Sequence, residues 1–164
     1  MPFTPKTWED FPSLDTPLEA SAIIDTEERL SDYADSVAAG GIELGYAQIT
    51  STATQTGAGD SDVAGLSTTV TVGSRPIVVE FGCDGLVNTS ASGIATAQIK
   101  EGSTILTQAT VSLTTIGMVV CRRVRLTPSA GSHTYKINLA QVVTGNSQIV
   151  CSAQDPAYIS VIEV

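Results

Sequence analysis

The sequence predicts a mainly β protein, an antiparallel two-sheet sandwich of the jelly-roll type, preceded by an extended N-terminal arm and one short coiled-coil-type helix. Short runs rich in Val, Ile and Thr recur from residue 42 to residue 164, with turns of Gly, Ser, Pro and Asp between them. Helical periodicity is confined to the roughly 25 residues before these runs. The expected division is therefore residues 1–15 for the arm, 16–41 for the helix and 42–164 for a β-sandwich head.

The arm is predicted to be extended and to anchor the chain to a partner. Its prolines disfavour helix, and large aromatic side chains lie between them. Buried rings of this size contribute much of the binding energy at protein interfaces. We expect the anchoring residues to be Phe3, Trp8, Phe11 and Pro12. The alternative is that these rings cover the base of the following helix.

The helix has clear start and stop signals. Thr16 is a good N-cap, Pro17 fits the first helical position, and Glu19 completes a Thr-x-x-Glu capping box. The pair Gly40-Gly41 provides a C-terminal stop.

A narrow apolar stripe along the helix predicts self-association. Ile23, Leu30 and Val37 repeat every seven residues, and Tyr33 takes a d-like position between them. A helix with so thin a stripe is marginal on its own, so it needs sister helices or a surface. Isoleucine at an a position tolerates trimers, although the stripe does not fix a stoichiometry. The alternative is that the helix packs on its own β domain.

The remaining residues are predicted to form eight or nine strands with no helix among them. Alternation places Ile77, Val79, Phe81 and Cys83 on one inward face. The same alternation predicts inward-facing side chains at further positions, namely Ile105, Ala109, Val111, Leu113, Tyr135, Ile137 and Leu139. Residues 55–62 are expected to be a loop.

The last strand is apolar on both of its faces. One face of a two-sheet sandwich should be wet, so residues 158–164 predict either a central buried strand or a strand that lines a subunit interface. We favour the interface, with Ile159 and Val161 as trimerisation residues, because the helix already indicates self-association.

Charge and composition exclude several partners. Seventeen acidic residues against eight basic ones give a net charge of -9, which argues against binding to nucleic acid or to anionic lipid. Ten of the acidic residues fall in residues 1–43, which is typical of a solvated helix face or of a segment that docks on a basic surface. The sequence contains no apolar run long enough to predict membrane insertion.

The residues that carry chemistry are sparse. The chain has one histidine, His133, and no nucleophile motif surrounds it. Cys83, Cys121 and Cys151 lie far apart without zinc-type spacing and are expected to be reduced thiols. Asp60 and Asp62 form at most a weak calcium site. We therefore expect no catalytic residue, no cofactor and no metal site.

Two stretches resemble small virion structural proteins of tailed bacteriophages, especially those of phages that infect actinobacteria. The first is the pattern Trp8, Pro12, Thr16-Pro17-Leu18 and Ala20 ahead of a helix. The second comprises residues 130–136 together with the closing segment 156–161, which look like the end of fibre or decoration β-sandwich domains.

The resemblance implies a non-enzymatic homotrimeric minor tail or tail-fibre protein, located in the virion after assembly in the host cytoplasm. Its N-terminus would attach to other virion proteins of the tail or capsid, and its β head would contact the host surface, where a glycan is a further partner. One alternative is a capsid-decoration or head-fibre protein. Another is a carbohydrate-binding module, which the expected inward position of most aromatic rings of the head disfavours. The third, a hydrolytic enzyme, would depend on His133.

Overall fold

A computed structural model describes residues 41–57, 59–112, 116–141 and 144–164. The predicted arm and all but the last residue of the predicted helix lie outside these ranges. The anchoring and helix-seam predictions therefore stay predictions; they concern Phe3, Trp8, Phe11, Pro12, Ile23, Leu30, Tyr33 and Val37.

Every regular element within the described ranges is a β-strand. The strands in chain order are β1 (Ile42–Ile49), β2 (Ala53–Thr56), β3 (Gly59–Val72), β4 (Ile77–Asn88), β5 (Ile94–Glu101), β6 (Thr104–Ser112), β7 (Met118–Leu126), β8 (Gly131–Gln141), β9 (Asn146–Val150) and β10 (Ala157–Glu163). All strand pairs are antiparallel. The prediction of a mainly β, antiparallel fold is confirmed.

The strands form two sheets in jelly-roll order. In sheet A, β1, β10 and β4 lie side by side, and β7 pairs with the other edge of β4. The short strand β9 also pairs with β4, and β2 pairs with β9. Sheet B has the order β3-β8-β5-β6. Numbered without β2 and β9, the main strands follow the order 1-8-3-6 in sheet A and 2-7-4-5 in sheet B, which is the order of a jelly roll.

The two short strands of sheet A extend longer ones. β1 pairs with β10 as far as Ile49 opposite Ala157, and β2 then pairs with β9 from Ala53 opposite Ile149. Residues 50–52 and 151–156 thus interrupt two neighbouring lines of the sheet at the same level. Residues 154–156 of this break border a cleft on sheet A.

The core fills the space between the sheets with alternate side chains of both. The predicted inward faces of β4 and β8 are confirmed, because each of their members is less than one-tenth exposed: Ile77, Val79, Phe81, Cys83, Tyr135, Ile137 and Leu139. Alternate residues of a strand share a face, and only one face of each sheet meets the other sheet.

The predicted loop at residues 55–62 is wrong. β2 continues to Thr56, and β3 begins at Gly59. The aspartates here stand on the solvent side of β3, where Asp60 accepts from Lys100 Nζ at 2.5 Å and Asp62 accepts from Lys136 Nζ at 2.6 Å. Cross-strand ion pairs of this kind let acidic residues occupy a strand.

The predicted inward position of Ile105 is also wrong. A register shift at Ile99/Lys100 places Ile105 opposite Lys100, and Ile105 is 48% exposed. A shift by one residue moves a side chain to the other face of the sheet. Leu106 packs against the core in its place.

The interface prediction for the last strand is corrected for its two named residues. β10 lies between β1 and β4, and Ile159 and Val161 are fully buried against the core of the same chain. Neither side chain has surface left for contact with another copy. The apolar character of both faces of β10 follows in part from its central position in the sheet.

Candidate functional site

The outer face of sheet B is a hydrogen-bonded polar surface. Threonine pairs cross its strands, with Thr69 and Thr134 hydroxyls 2.8 Å apart. A row of polar side chains also crosses all four strands, since Asp62, Asn138, Gln98 and Gln108 stand opposite one another. The outer face of sheet B is thus predominantly polar.

The side chains of this polar row hydrogen-bond to one another. Asn138 Nδ2 donates to Asp62 Oδ1 at 3.1 Å, and Gln98 Nε2 donates to Gln108 Oε1 at 3.2 Å. The Asn138 Oδ1 and Gln98 Oε1 acceptors between them have no donor among the described residues. Gln98 and Asn138 are nearly buried, at 9% and 4% exposure. We therefore interpret the row as structural.

The outer face of sheet A has a different composition. Its central strands present Val78, Glu80 and Gly82 from β4 beside Tyr158, Ser160 and Ile162 from β10, as the register requires. Tyr46 of β1 and Val119 of β7 add apolar surface, with exposures of 45% and 76%. This face combines aromatic and aliphatic side chains with one ion pair, Glu80–Arg123, whereas the outer face of sheet B is mostly polar.

Two tyrosines form a parallel pair on this face. The ring centroids of Tyr46 and Tyr158 lie 5.9 Å apart with 17° between the ring planes. The Tyr46 hydroxyl donates to Gln48 Oε1 at 2.8 Å, and the Tyr158 hydroxyl donates to Glu80 Oε1 at 2.5 Å. The expected inward position of the aromatic rings is thus right for Phe81 and Tyr135 but wrong for this pair.

Glu80 fixes the position of Tyr158. The Glu80 carboxylate is 9% exposed although it lies on the outer face, and Arg123 Nε donates to its second oxygen. The Glu80 hydrogen bond, with burial as a smaller cause, raises the pKa of Tyr158 to about 12. The same carboxylate raises the pKa of Arg123. The ring is therefore oriented by a charge-assisted network within the chain.

Gly82 makes room for the Tyr158 ring. A Cβ atom at Gly82 would lie 2.5 Å from Tyr158 Cε1 and 2.7 Å from Cζ. Only a residue without a side chain allows the ring to lie this close to the neighbouring strand.

A shallow cleft of about 480 Å³ adjoins the tyrosine pair. Its rim comes from the break at residues 151–156, where the Ser152 N–H donates to the Asp155 carbonyl at 3.0 Å. Asp84, Gln154 and Asp155 border the cleft and are exposed. Their side chains make no hydrogen bond or ion pair with other residues in the described ranges, so they are free to meet a ligand.

Cys121 is a free, exposed thiol at the same cleft, whereas Cys83 and Cys151 are buried. Burial raises the pKa of the Cys83 thiol to about 11, which keeps it protonated. His133 lies between two acceptors, with Nδ1 2.5 Å from Glu101 Oε1 and Nε2 2.8 Å from the Ser129 carbonyl. With both ring nitrogens occupied, neither is available to activate a hydroxyl as a general base.

Two of the three arginines of β7, Arg122 and Arg123, bind within the head. Besides the Arg123 contact to Glu80, Arg122 Nε donates to the Gln108 carbonyl at 2.8 Å. In the part of the chain that the structure describes, no three His, Cys, Asp or Glu side chains group as a metal site would require. Over the same residues, no helix is long and apolar enough to cross a bilayer.

No protein-family model and no curated protein sequence matches this chain. Among solved structures, the Eiger TNF of S. frugiperda is similar, with a TM-score of 0.43 and 12% identity over 75% of this chain and 94% of that one. A carbohydrate-binding module of Cellvibrio mixtus lichenase 5A in complex with cellotriose has a TM-score of 0.35 and 16% identity over 75% and 99%. The jelly-roll assignment rests on the strand order of the chain itself.

We expect the stabilising contribution of His133 to disappear at alkaline pH. Its hydrogen bond to Glu101, and then that to the Ser129 carbonyl, raise the pKa of His133. A raised pKa in the folded state stabilises the protein fully below the unfolded value of about 6.5 and no longer does so once pH has risen through the folded value. Thermal unfolding should separate the wild type from His133→Gln more widely at about pH 5.5 than at about pH 8.5.

Glu101→Gln is the control for this pH dependence, because it removes the carboxylate and keeps the shape of the side chain. In the Glu101→Gln background, the difference in thermal stability between His133 and His133→Gln at about pH 5.5 should be smaller than in the wild type. An equal separation of the wild type and His133→Gln at both pH values would contradict the assignment.

We expect Gly82→Ala to displace Tyr158 and to lower the free energy of unfolding by about 1–3 kcal/mol, the usual cost of overpacking. Gly73→Ala is the matched control, because a Cβ atom there meets nothing within 4 Å. Near-ultraviolet circular dichroism reports the tyrosine environment, and urea unfolding reports stability. Equal behaviour of the two variants would show that the Tyr158 ring does not need the space above Gly82.

Proposed function

We propose that this chain is a non-enzymatic structural protein of a bacteriophage virion, a homotrimer of the minor tail or fibre type that displays a jelly-roll head for contact with the host surface. The observation that carries the proposal is the outer face of sheet A. It presents the Tyr46–Tyr158 pair and exposed Val119 to solvent.

The contrast between the two outer faces supports a contact role for one of them. Antiparallel sheets that meet water are usually polar on that side, as sheet B is with its threonine pairs and lysine–aspartate pairs. A contiguous apolar patch rimmed by polar groups marks a binding surface. The head therefore has one predominantly polar outer face and one outer face with an exposed aromatic and aliphatic patch suited to a partner.

The N-terminal residues supply attachment and valency in this proposal. The arm would dock on the particle through Phe3, Trp8, Phe11 and Pro12, and residues 16–41 would bundle three chains. Three heads on one spike, and many spikes on one particle, convert weak single contacts into strong attachment because later contacts form at a high effective concentration.

Two other functions share parts of this proposal. A capsid-decoration or head-fibre protein would use the same head and bundle at another place on the particle. A carbohydrate-binding module that works without a virion is favoured by one observation, the tyrosine pair beside the unengaged side chains of Asp84, Gln154 and Asp155.

We expect Leu30→Glu to convert the full chain from trimer to monomer, since three carboxylates would meet at the predicted helix seam. Ser31→Glu adds the same charge one position away from the seam and should leave the trimer intact. Sedimentation velocity measures both variants. A Leu30→Glu chain that stays trimeric would move the trimer contact away from the helix, and a monomeric wild type would refute the homotrimer.

We expect antibodies against the head to label phage particles produced by the strain that encodes this chain. In immunogold electron microscopy, gold at the tail supports the tail or fibre assignment, whereas gold over the capsid supports the decoration or head-fibre alternative. Particles that carry no label, although the same antibody detects the protein in the lysate, would refute a virion role.

A further inference from the structure

We propose that the Tyr46–Tyr158 pair and the adjoining cleft form a binding site for a neutral glycan, with one pyranose ring packed on the exposed surface of Tyr46. This inference rests on the proposed function, because it names the chemical class that the displayed head would contact.

The tyrosine rings are held in place before any ligand arrives. Each hydroxyl already donates to a side chain of the same chain, Tyr46 to Gln48 and Tyr158 to Glu80. One side of each ring is used in the Tyr46–Tyr158 stack and Tyr158 also covers Gly82, so the surface left for a ligand is mainly that of Tyr46, which is 45% exposed. Rings that are already ordered add little entropic cost to binding, and a pyranose presents a flat patch of C–H groups that packs against the negative face of an aromatic ring.

The polar groups for hydroxyl recognition lie beside the rings. Asp84 and Asp155 provide carboxylates, and Gln154 provides both an acceptor and a donor at the same cleft. Sugar hydroxyls donate well to carboxylates, and these side chains make no competing contact within the described ranges. An apolar platform with a few polar groups at one edge is the usual composition of a small-ligand site.

The charge of the cleft favours neutral sugars over acidic ones. Asp84 and Asp155 would repel a uronate, a sialate or a sulfate, and Glu80 already pairs with the positive charge of Arg123. The cleft volume of about 480 Å³ lies within the range of small-molecule sites. It fits one or two sugar units at the end or side of a longer chain.

A second copy of the head fits this face less well in a two-fold contact. A two-fold contact through the same patch would bring Asp84 and Asp155 towards their own equivalents, and like charges that face each other across an interface are costly. The tyrosine hydroxyls, each bonded within its own chain, would contribute little to such a contact.

The test uses the full chain on a printed array of neutral gluco-, galacto- and manno-oligosaccharides together with uronate- and sialate-containing chains. We expect neutral glycans to bind and acidic ones not to, with no change in EDTA. The best-bound neutral oligosaccharide is then titrated calorimetrically. Tyr46→Ala should weaken its binding between about threefold and about tenfold, and Tyr46→Phe should not, because the ring carries the contact.

Ile105→Ala is the matched control for surface loss, since Ile105 is 48% exposed and Tyr46 is 45% exposed, but Ile105 lies on sheet B. It should bind as the wild type does. Circular dichroism confirms the fold of each variant. If Tyr46→Ala fails to fold, Asp155→Asn carries the test, because it keeps the shape of an exposed side chain and should weaken binding.

Several results would overturn the inference. These are an array with no neutral glycan bound, equal binding of acidic glycans, or full binding by both Tyr46→Ala and Asp155→Asn. Dissociation of the trimer by Tyr46→Ala would assign the face to a second copy instead. A trimeric chain that binds no glycan overturns this inference alone, whereas a monomeric chain that binds neutral glycans overturns the homotrimer and leaves the site standing.

Discussion

The Glu80 carboxylate organises the outer face of sheet A. It is almost fully buried, although it lies on the outer face of a central strand. One of its oxygens accepts a hydrogen bond from Arg123 Nε, and the other accepts one from the Tyr158 hydroxyl. A buried carboxylate needs both a charge partner and hydrogen bonds, and here it has both. Because Tyr158 is held in this way, Tyr46 can lie parallel to it and the cleft has a fixed wall.

The packing of the core between the two sheets fixes that arrangement. β4 and β10 are central strands whose inner faces are locked in the core, with Phe81 and Ile159 opposite each other and fully buried. The side chains that alternate with them must point outward. The position of Glu80 beside Phe81, and of Tyr158 beside Ile159, thus follows from the packing of the core. A site built on strands is held more accurately than one built on loops.

Much of the fold could be predicted from alternation alone, because one buried face per strand is a local property of the sequence. Two errors came from exceptions to that rule. The register shift at Ile99/Lys100 turns the side chain of Ile105 to the outer face. Ion pairs to Lys100 and Lys136 allow Asp60 and Asp62 to lie in a strand whose sequence resembles a loop. Neither a bulge nor a cross-strand partner can be read from one segment.

The candidate site was less accessible to sequence reasoning. If Ile159 faces the core, alternation places the neighbouring Tyr158 on the outer face. The sequence alone did not show this, because β10 is apolar at both alternating sets of positions. The contact between Tyr158 and Glu80 joins positions 78 residues apart, and it depends on the pairing of β10 with β4. The role of Gly82 likewise emerges only when the Tyr158 ring is placed above it.

The break in sheet A at residues 50–52 and 151–156 has an evolutionary consequence. Its turn supplies Gln154 and Asp155 to the rim of the cleft, while the strands on either side retain their pairing. Exchanges or insertions in that turn alter the rim without disturbing the buried rows. One scaffold can in this way diversify what it recognises, much as surface loops do on other sandwich folds, while its stability is inherited unchanged.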